Sequence, residues 1–253
     1  MKKINPILQK WPPRTVITSE WLNEQGVYKQ LADSYEKSGW LERISRGAFK
    51  RKGDKVSWPG GLYALQELQD LSVHVGGKTA LELQGYSHYI RMDDNQSIVL
   101  WKTPDVRLPN WFLSYDWDTS IEVRSVTLFD SGIHALSQTK VDNIKIEVSA
   151  PERAVLEYLH DVPKYEGIDE ANYIMEGLTS LRPSILQKLL ESCTSIKTKR
   201  LFLYMADHHN HSWFKRLDLS SIPLGKGKRE IIQGGKLDKT YNIVVPELSR
   251  EDQ

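Results

Sequence analysis

Lys29, Gln30, Ser34 and Lys37 fall within one short stretch, and Arg43, Arg46, Lys50, Arg51 and Lys52 follow it closely. Lysine matches the acceptor edge of guanine, glutamine matches adenine, and serine pairs with several bases. Arginine and lysine further along can grip phosphates, or a narrow minor groove that attracts arginine. This is the chemistry of duplex DNA recognition. Asp33 and Glu36 interrupt it and repel phosphate, so base reading is expected of Lys29, Gln30, Ser34 and Lys37. Thr18 and Ser19, just upstream, add hydroxyls to the same candidate surface.

Other chemistries are weaker. In Asp207-His208-His209-Asn210-His211, His208 and His211 could share a helical face and ligate zinc or nickel, but no carboxylate partner stands at a recognisable spacing. A histidine-rich turn closing a helix explains the run. Gly76-Gly77-Lys78-Thr79 resembles a phosphate-binding loop only in part: position 72 is Ser and 73 is Val, so the leading glycine is missing. A helix starting after a tight turn accounts for it. Asp116, Asp118 and Glu122 could be imagined as a nuclease site, yet Glu122 is followed by Val123-Arg124 rather than the needed x-Lys. The lone cysteine, Cys193, excludes an internal disulfide and a cysteine-built zinc site. No catalytic site, metal or cofactor is expected.

Two short helices must carry the candidate readers. Thr18 to Gly26 reads as the first, with Thr18 or Ser19 as cap, Glu20 near the positive dipole end and Gly26 as stop. Val27 is the pivot. The second runs from about Tyr28 to Ser38 and ends at Gly39. On a helical wheel Tyr28, Leu31, Ala32 and Tyr35 form the apolar face, opposite Lys29, Gln30, Asp33, Ser34, Glu36 and Lys37. Trp40 to Ser45 then reads as a strand with Leu41 and Ile44 for the core, Arg46-Gly47 as a turn, and Ala48 to Gly53 as a returning basic strand. A helix-turn-helix with a basic β-ribbon behind it is a winged helix, expected over residues 1–57.

Charge supports the division. Residues 1–57 carry 12 Lys+Arg against 6 Asp+Glu, residues 58–193 carry 11 against 20, and residues 194–240 carry 10 against 4. Basic ends around an acidic middle suit a polyanionic partner held at one end or both. The second basic stretch holds Lys197, Lys199, Arg200, Lys215, Arg216, Lys226, Lys228 and Arg229. It reads equally as solvated helix edges or as a second nucleic-acid surface.

The run Val16-Ile17-Thr18-Ser19, then Gly26-Val27, Ser38 to Arg43 and Arg46-Gly47-Ala48-Phe49, resembles the N-terminal domain of AbiE-type antitoxins. The likeness continues through Trp58, Gly60 to Gln66 and Val73 to Gly85, and resumes at Ser149 to Ala154. It is specific over the first 90 residues or so and looser beyond. The resemblance implies a bacterial abortive-infection operon whose antitoxin represses its own transcription through the winged helix. It also implies a C-terminal part that opposes a nucleotidyltransferase-like toxin, without a stable complex between the two. The implied partners are double-stranded operator DNA and the cognate toxin of the same operon. No residue of the body takes an antitoxic role from the resemblance.

The body, 58–253, reads as mixed α/β to about 150 and mainly helical over 151–240, giving an α+β chain. Gly60–Leu71 is expected as a helix, with Leu62, Leu65, Leu68 and Leu71 on one face. Ser72–Val75, Ser97–Lys102, Ile121–Phe129 and Ile144–Ser149 are expected as strands, and Lys78–Gln84 as a helix. Pro104, Pro109 and Asp93-Asp94-Asn95 mark loops. From Pro151 onward, Ala154, Val155, Tyr158 and Leu159 start a series of helical stripes. No run approaches the ~18 apolar residues of a membrane helix. The apolar stretch near the N-terminus breaks at Pro6 and Gln9-Lys10, unlike a signal peptide, so a cytoplasmic protein is expected. Two other readings stay open: a nucleic-acid-processing enzyme targeted by the winged helix, and a non-catalytic interaction scaffold.

Overall fold

Ile4, Ile7 and Trp11 recur at helical spacing and bury one face of a first helix, α1 (Ile4–Lys10). The computed structural model describes residues 4–86, 97–130 and 132–246, and the Asp93-Asp94-Asn95 loop expected from sequence lies outside them. After α1 come β1 (Ile17–Thr18), α2 (Ser19–Glu24), α3 (Lys29–Lys37), β2 (Leu41–Ser45) and β3 (Ala48–Arg51). These described strands form an antiparallel sheet ordered β1-β3-β2, with Ile17 opposite Phe49 and Leu41 opposite Arg51. Ile4, Ile7, Trp11, Ile17, Leu22, Val27, Ala32, Tyr35, Leu41 and Phe49 close a single apolar cluster beneath the helices. Neither α1 nor the two-residue β1 is among the elements expected from sequence. Without β1 the hairpin would have an uncovered edge.

The chain folds as two compact units. Of the described residues, those within 1–74, 95–125 and 138–147 form the first, and those within 75–94, 126–137 and 148–253 the second. The next elements are α4 (Trp58–Tyr63), β4 (Val73–Val75), α5 (Gly77–Leu83), β5 (Ile98–Lys102), α6 (Asn110–Ser114), β6 (Ile121–Ser125), β7 (Leu136–Val141) and β8 (Ile144–Ser149). The described strands give a sheet ordered β6-β5-β4-β8-β7, parallel where β5 meets β6 and where β4 meets β8. Gly60–Leu71 is not one regular helix. α4 ends at Tyr63, and a wider turn carries Ala64–Leu68, closed by Gln69 N–H donating to Ala64 O at 3.1 Å. Gly60 and Gly61 have no room for a side chain: a Cβ would overlap the Arg14 carbonyl oxygen at the first and the Trp117 ring at the second. Ile121–Phe129 is also shorter than expected, since β6 stops at Ser125.

In the second unit α7 (Pro151–Asp161), α8 (Ile168–Gly177), α9 (Pro183–Ser192) and α10 (Ile196–His208) carry the expected stripes. Ala154, Val155, Tyr158 and Leu159 are buried, as are Leu186, Leu189, Leu190, Leu201 and Leu203. Regular helix ends at His208 instead of near 240, because Asn210 adopts φ +51° and the following segment carries positive-φ turns at Gly225 and Gly227. That segment closes with a small sheet of β9 (Arg229–Glu230), β10 (Lys236–Asp238) and β11 (Ile243–Val245), ordered β10-β11-β9. Arg200, 2% exposed, donates from its guanidinium to the carbonyls of Leu224, Gly225, Gly227 and Asn242 at 2.6–3.0 Å. One buried fork therefore fastens α10 to two stretches of irregular chain.

Candidate nucleic-acid interface

Two glycines orient α3 and the hairpin tip. Gly26, at φ +76°, lets its N–H donate to Asn23 O at 2.9 Å while Val27 N–H returns to Leu22 O at 2.8 Å, ending α2 and turning the chain into α3. Gly47, at φ +84°, forms the hairpin tip, and its carbonyl accepts the Ser19 N–H at 2.8 Å. The tip is thus pinned to the start of α2. Between α2, α3 and the hairpin lies a cleft of about 520 Å³, lined by Ser19, Asn23, Lys29, Arg43 and Arg46 over a floor of Leu22, Val27 and Phe49.

Lys29, Gln30, Ser34 and Lys37 all face solvent on α3, and Arg46 does so on the hairpin tip. Among the described residues, Lys29, Lys37 and Arg46 have no ion-pair partner. Lys52 is 63% exposed, with Glu42 3.9 Å away. Arg43 lies over the Phe49 ring at 4.5 Å and binds the α3 carboxylates of Asp33 at 2.9 Å and Glu36 at 2.7 Å. The Glu36 hydrogen bond is the main cause of a guanidinium pKa above its usual value. One arginine thus answers two carboxylates, which offsets their charge in part and leaves this stretch of the polar face with a net negative charge.

Three expected surface residues are turned to structural work. Thr18 is buried, and its Oγ1 caps α2 by accepting the Trp21 N–H at 3.2 Å. Arg51 stacks on the Trp11 ring at 5.2 Å and donates to the carbonyls of Leu8 and Trp11, closing the C-terminal end of α1. Lys50 is mostly covered and pairs with Glu42 at 3.2 Å. The cap is one of the roles expected of Thr18, but sequence gives no sign of the other two, because the acceptors of Arg51 and Lys50 belong to α1 or to the neighbouring strand.

The second basic group divides the same way. Lys197 donates to the carbonyls of His160 and Val162, Lys199 is buried, and Arg200 is the fork described above. Burial lowers the pKa of all three. Lys199 and Arg200 face the interior of their unit, and Lys197 is half-buried with its ammonium on backbone carbonyls. Lys226 and Lys228 remain exposed, and Arg229 is half-buried.

The remaining candidate chemistries are likewise occupied. Of the two candidate histidines, His208 stacks with Tyr204 at 6.5 Å between ring centroids, and His211 Nε2 lies 2.6 Å from Met175 O while its ring stacks on Trp213. Gly77 N–H donates to the buried Glu157 at 3.1 Å, and Lys78 pairs with Glu170 at 2.8 Å, so a protein carboxylate already sits at the Gly-Gly-Lys-Thr turn. Glu122 holds Ser97 at 2.6 Å and Arg124 at 2.8 Å, and Asp118 pairs with Lys55 at 3.4 Å. Among the described residues no group of three or more His, Cys, Asp or Glu could hold a metal, and no helix is long and apolar enough to cross a membrane.

Two family models match the chain. The family described as "Transcriptional regulator, AbiEi antitoxin N-terminal domain" matches residues 1–92, and "Transcriptional regulator, AbiEi antitoxin, Type IV TA system" matches residues 95–246. No curated protein matches the chain. A solved structure, that of the RV2827C protein from Mycobacterium tuberculosis, superposes with a TM-score of 0.59 at 15% identity, covering 97% of this chain and 90% of that one. At that identity the likeness concerns the fold alone.

Proposed function

The chain belongs to the AbiEi antitoxin family of transcriptional regulators of type IV toxin–antitoxin systems, and from that premise we propose that residues 1–57 act as a winged helix on operator DNA. In this reading α3 enters the major groove with Lys29, Gln30, Ser34 and Lys37 toward base edges. The β2–β3 hairpin is the wing, with Arg46 and Lys52 on phosphate or minor groove. The observation that carries the reading is the single cleft where Ser19, Lys29, Arg43 and Arg46 converge from α2, α3 and the hairpin. Bound there, the protein represses the operon that encodes it, and the remainder of the chain, 58–253, counteracts a nucleotidyltransferase-like toxin without catalysis or a stable complex.

A gel-shift titration on the DNA upstream of the gene tests this. The wild-type chain is expected to shift a discrete fragment, and the doubly substituted Lys29→Ala/Arg46→Ala chain, with an unchanged melting curve, is expected not to. If that variant binds as tightly as wild type, the surface is misassigned. Co-expression with the neighbouring gene product then reads antitoxicity. Relief of growth arrest by the variant that no longer binds DNA separates the two roles, and failure of the wild-type chain to relieve it removes the antitoxic one.

A further inference from the structure

Helical periodicity puts Tyr28 on the apolar face of the second helix with Ala32 and Tyr35, and those two are buried. Tyr28 is not. At 64% exposure it is the most exposed large apolar side chain among the described residues. The reason is local: α3 begins at Lys29, and Tyr28 is its extended N-cap residue, with φ −73° and ψ 169°. Outside the helix, the wheel no longer dictates its direction. It also does nothing for the helix start, since its side chain makes no capping hydrogen bond where Ser, Thr, Asp or Asn would. A bulky residue that neither caps nor packs breaks a local rule with no gain in the fold, which is typical of a functional position. Its sequence neighbours are the exposed Lys29 and Gln30.

We propose that Tyr28 is a base-reading residue whose ring packs on the 5-methyl group of a thymine in the major groove. The proposal rests on the DNA-binding reading above. In a helix-turn-helix the N-terminal residues of the second helix are those that contact base edges. The thymine methyl is the one apolar feature on the major-groove edge of a base pair, and it is read by apolar side chains. Lys29 and Gln30 supply hydrogen-bond donors for neighbouring purines, so Tyr28 completes a three-residue reader with a group that hydrogen bonding cannot replace.

The test uses the full-length chain and the duplex it protects upstream of its gene. Each thymine in the protected stretch is replaced singly by deoxyuridine, which removes only the methyl. Dissociation constants are measured for wild type, Tyr28→Phe and Tyr28→Ala. Loss of one buried methyl corresponds to a weakening of about fourfold. One replacement is expected to weaken wild type and Tyr28→Phe by about that much. Tyr28→Ala is expected to bind several-fold more weakly on the unmodified duplex and to ignore that same replacement. The proposal is overturned if Tyr28→Ala binds like wild type or stays equally sensitive to the replacement. It is also overturned if Tyr28→Phe loses as much as Tyr28→Ala, which would assign the contact to the hydroxyl. Failure of the wild-type chain to bind any duplex would instead remove the DNA-binding reading on which this one stands.

Discussion

Arg43 grips Glu36 through two nitrogens, Nε at 3.1 Å and Nη2 at 2.7 Å from the same Oε2, and so ties the base of the hairpin to the last turns of α3. Its Nη2 also reaches Asp33 at 2.9 Å. Both carboxylates sit on the polar side of the helix proposed to face DNA, and the arginine offsets their repulsion of phosphate. Removing one negative charge there by Glu36→Gln is expected to tighten DNA binding several-fold at moderate salt. Arg43→Ala is expected to weaken it by more than one lost phosphate contact, because it bares two carboxylates. The pairs are partly exposed, so stability should change by less than about 1 kcal/mol. Anisotropy titrations alongside thermal melts check this, and a Glu36→Gln chain that binds no better would show that this face does not meet phosphate.

Arg46 and Arg51 stand five residues apart on one hairpin, yet their substitutions should give opposite phenotypes. Arg46→Ala removes an exposed cation and is expected to lower the salt slope of binding by about one unit with no change in melting. Arg51→Ala strips the last carbonyls of α1 of their partner and uncovers Trp11. It should cost about 2 kcal/mol or more of stability, while the slope per bound, folded molecule stays that of wild type. A denaturant melt and a salt titration on both variants distinguish the two roles.

The contrast marks how far sequence reaches. The turns at Gly26, Gly39 and Gly47 are legible because a positive φ favours glycine, and all three have one, between +74° and +84°. With the turns fixed, the spans of α2, α3 and the hairpin follow to within a residue or two. Tyr28 escapes the wheel because a single-residue shift of the helix start is enough to remove a side chain from it. Thr18 reads both as a cap and as a surface hydroxyl, and only the cap role fits its burial. Arg51 and Arg200 mislead for a different reason: a cation beside other cations looks solvated, and its acceptors are backbone carbonyls 24 to 43 positions away. Carbonyls carry no sequence signature. β1 is too short to show periodicity, and its existence depends on β3, whose Ala48 and Phe49 pair with it from far along the chain.

Arg200 illustrates the energetic side of that hidden role. Four carbonyls accept from one buried guanidinium, and a hydrogen bond to a charged group contributes roughly 1.5–3 kcal/mol. Of the four acceptors, Asn242 O also keeps the Arg229 N–H at 3.1 Å. Arg200→Ala is therefore expected to destabilise the chain by about 3 kcal/mol or more, and Arg200→Lys to recover only part of it, since an ammonium cannot reproduce the fork. Urea melts followed by tryptophan fluorescence measure the loss. An Arg200→Ala chain as stable as wild type would mean that the Leu224–Gly227 segment holds itself without the fork.

Acid should loosen the second unit before it touches the carboxylates. Burial lowers the pKa of His160, helped by the charge of Lys197, and burial lowers that of His211. Folding therefore keeps both rings neutral at a pH where the unfolded chain has begun to protonate them, near the ordinary histidine value of about 6.5. The unfolded state then binds more protons, so stability is full above that pH and falls as the pH drops below it toward the depressed folded values, by at most about 1.4 kcal/mol per pH unit for each ring. Glu152 acts in a lower window. Burial pushes its carboxyl up, but the hydrogen bonds from Arg182, at 2.8–3.0 Å, more than offset this and hold it below the usual value, so its contribution persists until the pH falls below about 4.3. Urea midpoints at pH 7.5, 6.0 and 5.0 are expected to decline across all three, and His211→Gln, which keeps a donor for the Met175 carbonyl, should flatten the decline by the share of one ring. A wild-type midpoint that stays level from pH 7.5 to 5.0 would contradict the burial of these rings as neutral groups.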